Sequence, residues 1–440
     1  MKFYSRKHEL ELLEDAYLRI NETAQMIVIT GRRRIGKTFL SLHFSDQKPH
    51  LYLFVSKKLE HLLCQEFIKQ IKLTFEIPII GEITQFKDIF ALLLEIAKTK
   101  PFVLIIDEFQ EFLHIHPSIY SDLQQSWDLN KFQSKIEVLF LGSVYSLMHK
   151  IFEDSKEPLF GRTDRIIHLH PFSIKDMHAI LKERGHPELE TLFNYYLLTG
   201  GIPKYIDLFL SQNAFSYSEM MDFVLSENSP FLDEGKNLLI EEFGKEYSNY
   251  FSILELISLG KTSRSEIESV LQKETGGFLE KLEKDYSVIK RYRPINAKPE
   301  SKLVRYKIKD HFLKFWFRFI HRNRSAAETG NFDYIRRVVD LNFSTYSGNT
   351  LEQFFLDLFM NSHQYNRIGP YFEPDHTNEI DIVAINDLDK KMVIAEVKLN
   401  KKRAHMEELK NKSKKLLASC GDYHVEYQAL SLDDAHKFLT

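Results

Sequence analysis

Gly31-Arg32-Arg33-Arg34-Ile35-Gly36-Lys37-Thr38, entered from the apolar run Met26 to Ile29 and followed by Phe39-Leu40-Ser41-Leu42, decides the fold of the N-terminal half. It is a complete G-x-x-x-x-G-K-[ST] phosphate loop at the join of a strand and a helix. In such a loop Gly31 and Gly36 let the backbone turn its N–H groups inward around phosphates, along a cradle that runs through Arg34, Ile35 and Phe39. Lys37 reaches the β and γ oxygens, and the Thr38 hydroxyl is placed to ligate Mg²⁺. The helix that opens near Gly36 aims its positive dipole end at the same spot. The segment therefore predicts an ATP- or ADP-binding site with Mg²⁺ as companion ion.

Working outward, residues 1 to about 210 alternate short apolar runs with amphipathic stretches, the pattern of a parallel sheet covered by helices. The expected strands are Met26 to Thr30, Leu51 to Val55, Val103 to Ile106, Val138 to Leu141 and Ile166 to Leu169. The third ends in Asp107-Glu108, about 70 residues beyond the loop. There Asp107 would hold Mg²⁺ through water and Glu108 would polarise the attacking water as general base. The fourth ends in Gly142-Ser143, where Ser143 can touch the γ-phosphate or that water. Arg162, just before the last strand, can approach the γ-phosphate of its own or a neighbouring subunit, or can be a salt-bridged surface arginine.

A chain of 440 residues with 43% hydrophobic content has room for two to four ordinary domains. Cys64 and Cys420 are too few for a disulfide framework, and no apolar run reaches the roughly 20 residues of a membrane span. No N-terminal leader pattern is present, so a cytoplasmic protein with no membrane partner is expected. The formal charge of −3 speaks against blanket nucleic-acid binding, yet residues 261 to 324 carry 17 Lys and Arg against 8 Asp and Glu, a local +9.

The expected architecture is α/β: a P-loop ATPase core over 1–190, a helical lid over 191–246, a winged helix over 247–324 and a small α/β nuclease-like domain over 325–440. The winged helix is read from three short helices (Ile253 to Leu259, a Thr262- or Ser263-capped helix through Leu271, and one from Gly276-Gly277 through Leu282) followed by two strand-like pieces, Val288 to Tyr292 and Leu303 to Ile308. Lys281, Lys284, Lys290, Arg291, Arg293, Lys302 and Arg305 would neutralise a DNA backbone there. The aromatic cluster Phe312, Phe315, Trp316, Phe317 and Phe319 reads as a packing interface.

The chain resembles the archaeal-type ATPase family, a branch of the signal-transducing P-loop ATPases with numerous domains related to the AAA+ class. The resemblance rests on Phe3-x-x-Arg6-x-x-Glu9-Leu10, the phosphate loop, Ile106-Asp107-Glu108-Phe109-Gln110, Gly161-Arg162 and Leu198-Thr199-Gly200-Gly201-Ile202-Pro203-Lys204-Tyr205. Tyr306 to Asp310 and Phe315 to Phe319 extend it into the winged helix. It implies that the opening segment packs near the adenine and that the Gly-Gly-x-Pro turn belongs to a lid over the nucleotide, which places Arg6 and Pro203 near the ligand.

In the C-terminal part, Glu379 to Ile385 and Met392 to Lys398 read as a β-hairpin around a turn at 386–389. Glu396 and Lys398 are two apart and share a face, where Asp381 of the neighbouring strand can meet them. Two carboxylates, Asp381 and Glu396, can bind a divalent metal that polarises a phosphodiester while Lys398 orients water. Glu352, in a helix from Leu351 to Met360, can supply a further acid. This resembles the PD-(D/E)xK nuclease fold; the bland reading is an ion-pair network. Two functions follow: an ATP-hydrolysing switch that couples nucleotide state to DNA binding and metal-dependent cleavage, or an ATPase scaffold that senses a protein partner through an inactive docking domain. The spacing leaves the oligomeric state open.

Overall fold

The computed structural model describes residues 2–298, 300–374 and 378–439. Its internal contacts divide the chain into two compact units, one ending at Pro171 and one beginning at Phe172.

In the first unit, β1 (Gln25–Thr30), β2 (His50–Phe54), β3 (Phe102–Asp107), β4 (Ile136–Gly142) and β5 (Arg165–His168) form a parallel sheet in the order β2-β3-β4-β1-β5. All five expected strands are present. Every residue of β1, β3 and β4 is buried, which is why these strands read as unbroken apolar runs rather than alternating ones. One face is covered by Phe67, Phe90 and Trp127 from the helices Glu60–Phe75, Phe86–Ile96 and Ile119–Asn130. The other is covered by Leu13 and Ala16 of Lys7–Arg19 and by Leu40 and Phe44 of Lys37–Ser45. Because β4 lies between β1 and β3, the ends of these three strands stand side by side at the carboxyl edge, where open α/β sheets bind ligands.

The second unit opens with helices from Ile174–Glu183 to Pro230–Phe243. Leu189–Thr199 stops at Gly200 and Gly201, whose φ values of 55° and 83° favour glycine. A Cβ on Gly201 would lie 2.2 Å from the Phe172 carbonyl oxygen, so the turn is also a close approach of two backbones. Pro203 then starts the helix Pro203–Ser211 at a position where its missing N–H costs nothing.

Three helices follow, Tyr247–Ser258, Arg264–Leu271 and Gly276–Lys284, and then the antiparallel pair β6 (Ile289–Tyr292) and β7 (Arg305–Ile308). Ser263 and Glu266 form a capping box at the second of these helices. Phe312, Phe315, Trp316, Phe317 and Phe319 are all buried, and the Trp316 indole donates to the Leu232 carbonyl at 2.8 Å, which makes this cluster core. The helix expected at Leu351 to Met360 is the last third of Phe332–Asn361, a 30-residue helix whose first turns are too polar to announce themselves. Beyond it, β8 (Arg367–Phe372), β9 (Glu379–Asn386), β10 (Lys391–Val397) and β11 (His424–Leu430) form a sheet in the order β11-β10-β9-β8, with only β10 and β11 parallel. The helix Met406–Ser419 packs Leu409 and Leu416 on its Val383, Ile385 and Ile394 side. No helix among the described residues is long and apolar enough to cross a membrane.

Candidate functional site

The phosphate loop joins β1 to the helix Lys37–Ser45. Gly36 caps that helix with φ 91°, and a Cβ on Gly31 would stand 2.8 Å from the Leu169 carbonyl oxygen; neither position accepts a side chain without strain. Arg34 also has positive φ, 73°. Lys37 is buried and its Nζ donates to the carbonyls of Gly31 and Arg32 at 2.8 and 3.1 Å, so the ammonium is already folded back over the loop where an anion would sit. Ile35 is buried beneath the loop and Phe39 is exposed, its ring 5.6 Å from Phe3.

Arg6 is buried, and its guanidinium donates to the His170 carbonyl at 2.7 Å and the Ile35 carbonyl at 3.4 Å while pairing with Glu9 at 3.0 Å. Its contacts tie the opening segment to the back of the loop. Pro203 belongs to the second unit, at the start of its own helix.

Asp107 and Glu108 stand at the end of β3. Asp107 is buried, and its Oδ2 accepts from the Thr38 hydroxyl at 2.6 Å and the Tyr52 hydroxyl at 3.0 Å. Its Oδ1 accepts from the Glu108 N–H at 2.9 Å. The Thr38 and Asp107 oxygens therefore already converge, a hard-oxygen pair of the kind that suits Mg²⁺ beside a phosphate. Glu108 sits in the left-handed region at φ 54°, an uncommon place for a glutamate and one that recurs at functional sites. Its Oε2 accepts from both Ser143, at 2.8 Å, and Gln110, at 2.5 Å. Tyr52 was not singled out in the sequence, and Gln110 entered only as the last residue of the motif Ile106 to Gln110, with no role assigned to it.

The parallel sheet settles one alternative for Arg162. It precedes β5, at the amino edge of the sheet, whereas the loop, Asp107, Glu108 and Ser143 all lie at the carboxyl edge. It thus lies across the sheet from the residues that would meet its own subunit's γ-phosphate. It pairs instead with Asp128 at 3.0 Å and donates to the Phe160 carbonyl at 3.1 Å. Arg162→Ala should therefore leave ATP turnover at dilute protein unchanged and cost less than about 1 kcal/mol of stability, as a part-exposed ion pair does. Turnover at nanomolar protein and a thermal melt check both.

In the second unit, β9 and β10 bring Asp381, Glu396 and Lys398 together as the alternation predicted. The Lys398 Nζ lies 3.1 Å from Glu396 and 3.7 Å from Asp381, and Asp381 also accepts the Val397 N–H at 2.8 Å. Burial, and then the charge of Asp381, push Glu352 up to about 8, while burial raises Asp381 as well. These are the shifts expected where carboxylates are buried close to one another. Lys398 closes the cluster, and among the described residues no three His, Cys, Asp or Glu side chains are grouped to hold a metal ion.

The basic surface expected to meet DNA is largely spoken for. Lys281 faces Glu246 at 3.9 Å, Lys284 pairs with Glu280 at 2.7 Å, Arg291 with Glu283 at 3.1 Å and Arg305 with Glu379 at 2.6 Å. Arg293 donates to the Ser301 carbonyl at 3.2 Å. Arg305 also lies 4.0 Å over the Phe372 ring, and the Ile295 N–H donates to the Pro370 carbonyl at 2.9 Å. The hairpin region is thereby built into the wall of the C-terminal sheet.

Known proteins place these two regions in families. Residues 3–209 match a family described as an ATPase domain predominantly from Archaea, and residues 316–412 match archaeal and bacterial proteins of unknown function. An uncharacterised protein of Methanocaldococcus jannaschii is 27% identical, with 99% of this chain and 94% of that protein covered. The fold is similar to that of the Walker-type ATPase of Pyrococcus abyssi, with TM-score 0.55, 18% identity, and 72% of this chain and 96% of that one covered. It is also similar to the ORC2 protein of Aeropyrum pernix in its ADPNP-ADP complexes, with TM-score 0.53, 15% identity, and coverage of 74% and 95%. Over residues 3–209 this chain is thus similar to the ATPase domains found predominantly in Archaea, and over residues 316–412 to a family of archaeal and bacterial proteins of unknown function.

Proposed function

We propose that this protein is an ATP-binding and ATP-hydrolysing switch acting in the cytoplasm, whose nucleotide state governs how its C-terminal domains engage DNA. The observation that carries the reading is the convergence of Lys37, Thr38, Asp107, Glu108 and Ser143 at one edge of the sheet. Main-chain N–H groups of the loop and Lys37 hold the phosphates, and Glu108 takes the proton of the attacking water. Thr38, and Asp107 through water, would hold a Mg²⁺ ion, which would supply charge neutralisation at the phosphate oxygens. The ORC2 relative in its ADPNP and ADP complexes supports a nucleotide as ligand.

For the output, residues 247–324 are read as a winged helix and residues 325–440 as a nuclease-like domain in which Asp381, Glu396, Lys398 and Glu352 act on a phosphodiester. The clustering of Asp381, Glu396 and Lys398 supports this. A second output, docking of a protein partner on an inactive domain, is favoured by the ion pairs that occupy Lys398 and much of the basic surface.

Plasmid nicking with Mg²⁺ or Mn²⁺, with and without ATP, separates the two. Cleavage that falls at least about a hundredfold in Asp381→Ala, in line with loss of a metal-binding carboxylate, and that loses its response to ATP in Lys37→Ala, is the expected result. Cleavage unchanged by Asp381→Ala, or absent from the wild type, removes the nuclease output and leaves the docking one.

A further inference from the structure

We infer that Tyr52 is a positioning residue of the nucleotide site, holding the Asp107 carboxylate in place for the divalent ion that accompanies the triphosphate; this rests on the ATPase reading above. Tyr52 belongs to the edge strand β2, which runs beside β3 in the register Tyr52 to Ile105 and Phe54 to Asp107. Its ring packs against the cluster under the phosphate loop, and its hydroxyl reaches across to Asp107 Oδ2 at 3.0 Å. Packing accounts for the ring and leaves the hydroxyl unexplained.

The arithmetic of donors around Asp107 gives that hydroxyl a role. Three groups donate to this carboxylate: the Glu108 N–H to Oδ1, and the Thr38 and Tyr52 hydroxyls to Oδ2. Thr38 can turn its oxygen lone pair toward a cation and still donate its hydrogen to Oδ2, but its position is then set by the ion as well. Tyr52 is a donor to Oδ2 whose position does not depend on the ion. Without it, the carboxylate's last torsion is held less firmly, by the Glu108 N–H and Thr38, and part of the ordering that presents an oxygen to the ion's water shell falls to the binding step.

Tyr52→Phe removes one oxygen and keeps the ring. The experiment titrates a fluorescent methylanthraniloyl-ATP onto the full chain, once in EDTA and once across a Mg²⁺ series, for wild type and Tyr52→Phe. In EDTA the two should agree within about twofold, while the Mg²⁺ concentration that half-maximally tightens binding should rise about tenfold in the variant, the effect of losing a hydrogen bond to a charged group. An unchanged Mg²⁺ half-point overturns the inference. So does an equal loss of affinity with and without Mg²⁺, which would make Tyr52 a support of the pocket alone. A wild-type chain that binds the nucleotide but ignores Mg²⁺ overturns it too, and a wild-type chain that binds none overturns the ATPase reading itself, so the two failures are told apart by which protein shows them.

Discussion

Glu108→Gln lowers ATP turnover by about a thousandfold and leaves ATP affinity within about twofold, because it removes a general base while keeping its shape. Both hydrogen bonds to this side chain, from Ser143 at 2.8 Å and Gln110 at 2.5 Å, arrive at one oxygen, Oε2. The amide oxygen of a glutamine can accept the same two donors. What changes is the other terminal atom: a carboxylate oxygen able to take a proton from water becomes an NH₂ that can only donate. The substitution therefore acts on the transition state and spares the ground state, since the phosphate grip is made by Lys37 and the loop. Lys37→Ala is the contrasting control, expected to lose affinity and turnover together. Single-turnover hydrolysis beside equilibrium nucleotide binding distinguishes the two patterns. Turnover in Glu108→Gln within about tenfold of wild type would move the base elsewhere.

The site's arrangement was legible where the loop's spacing demands one residue type at a fixed place. Gly31, Gly36, Lys37, Thr38 and the Asp107-Glu108 pair sit at fixed distances from apolar runs, and the strand-to-helix and strand-to-loop joints fall where those runs stop. The sheet order was not legible, because four apolar residues in a row reveal a buried parallel strand and nothing of which strand lies beside it. Tyr52 was invisible for a related reason: inside Leu51 to Val55 it reads as one more aromatic in a strand. Gln110 was visible only as part of the motif Ile106 to Gln110, which says nothing of what its amide does. The edge on which Arg162 lies could have been reasoned out, since in an all-parallel sheet a residue just before a strand is opposite the residues just after the others.

Charge was only partly legible for a physical reason. A run with local +9 was read as a DNA face, yet the partners of Lys281 and Arg305 are Glu246 and Glu379, both outside that run, and window counting cannot see them. At Asp381, Glu396 and Lys398 the opposite held. The period of two along a strand fixes which side chains share a face, so the cluster followed from spacing plus one hairpin. Its function did not follow, because the same three residues make either a metal site or a closed ion-pair network.

Glu137→Gln stabilises the first unit, by about 4 kcal/mol near pH 7.5, and the gain grows with pH. Glu137 lies near the start of β4, fully buried, opposite Gln25 of β1, and neither carboxylate oxygen has a hydrogen-bond partner among the described residues. Burial pushes its pKa from 4.5 up to about 9; the Lys48 ammonium opposes this and the Glu14 carboxylate adds to it. Lys48 is itself engaged with Glu14 at 2.9 Å and the Phe44 carbonyl at 3.1 Å, so it cannot neutralise Glu137 directly. Between 4.5 and about 9 the native state keeps a proton that the unfolded chain has released, so stability falls as pH rises through that window and levels off above it. The slope is about 1.4 kcal/mol per pH unit at most, the value for one proton. A glutamine holds no such proton, and the difference between variant and wild type should widen from about 2 kcal/mol at pH 6 toward pH 9, with a melting point raised by roughly 8–16 °C at pH 7.5 for a unit of this size. Calorimetry of both proteins at pH 6, 7.5 and 9 measures the gap. A gap that stays constant with pH, or a variant that melts below wild type, would mean that Glu137 finds a partner which stabilises its charge.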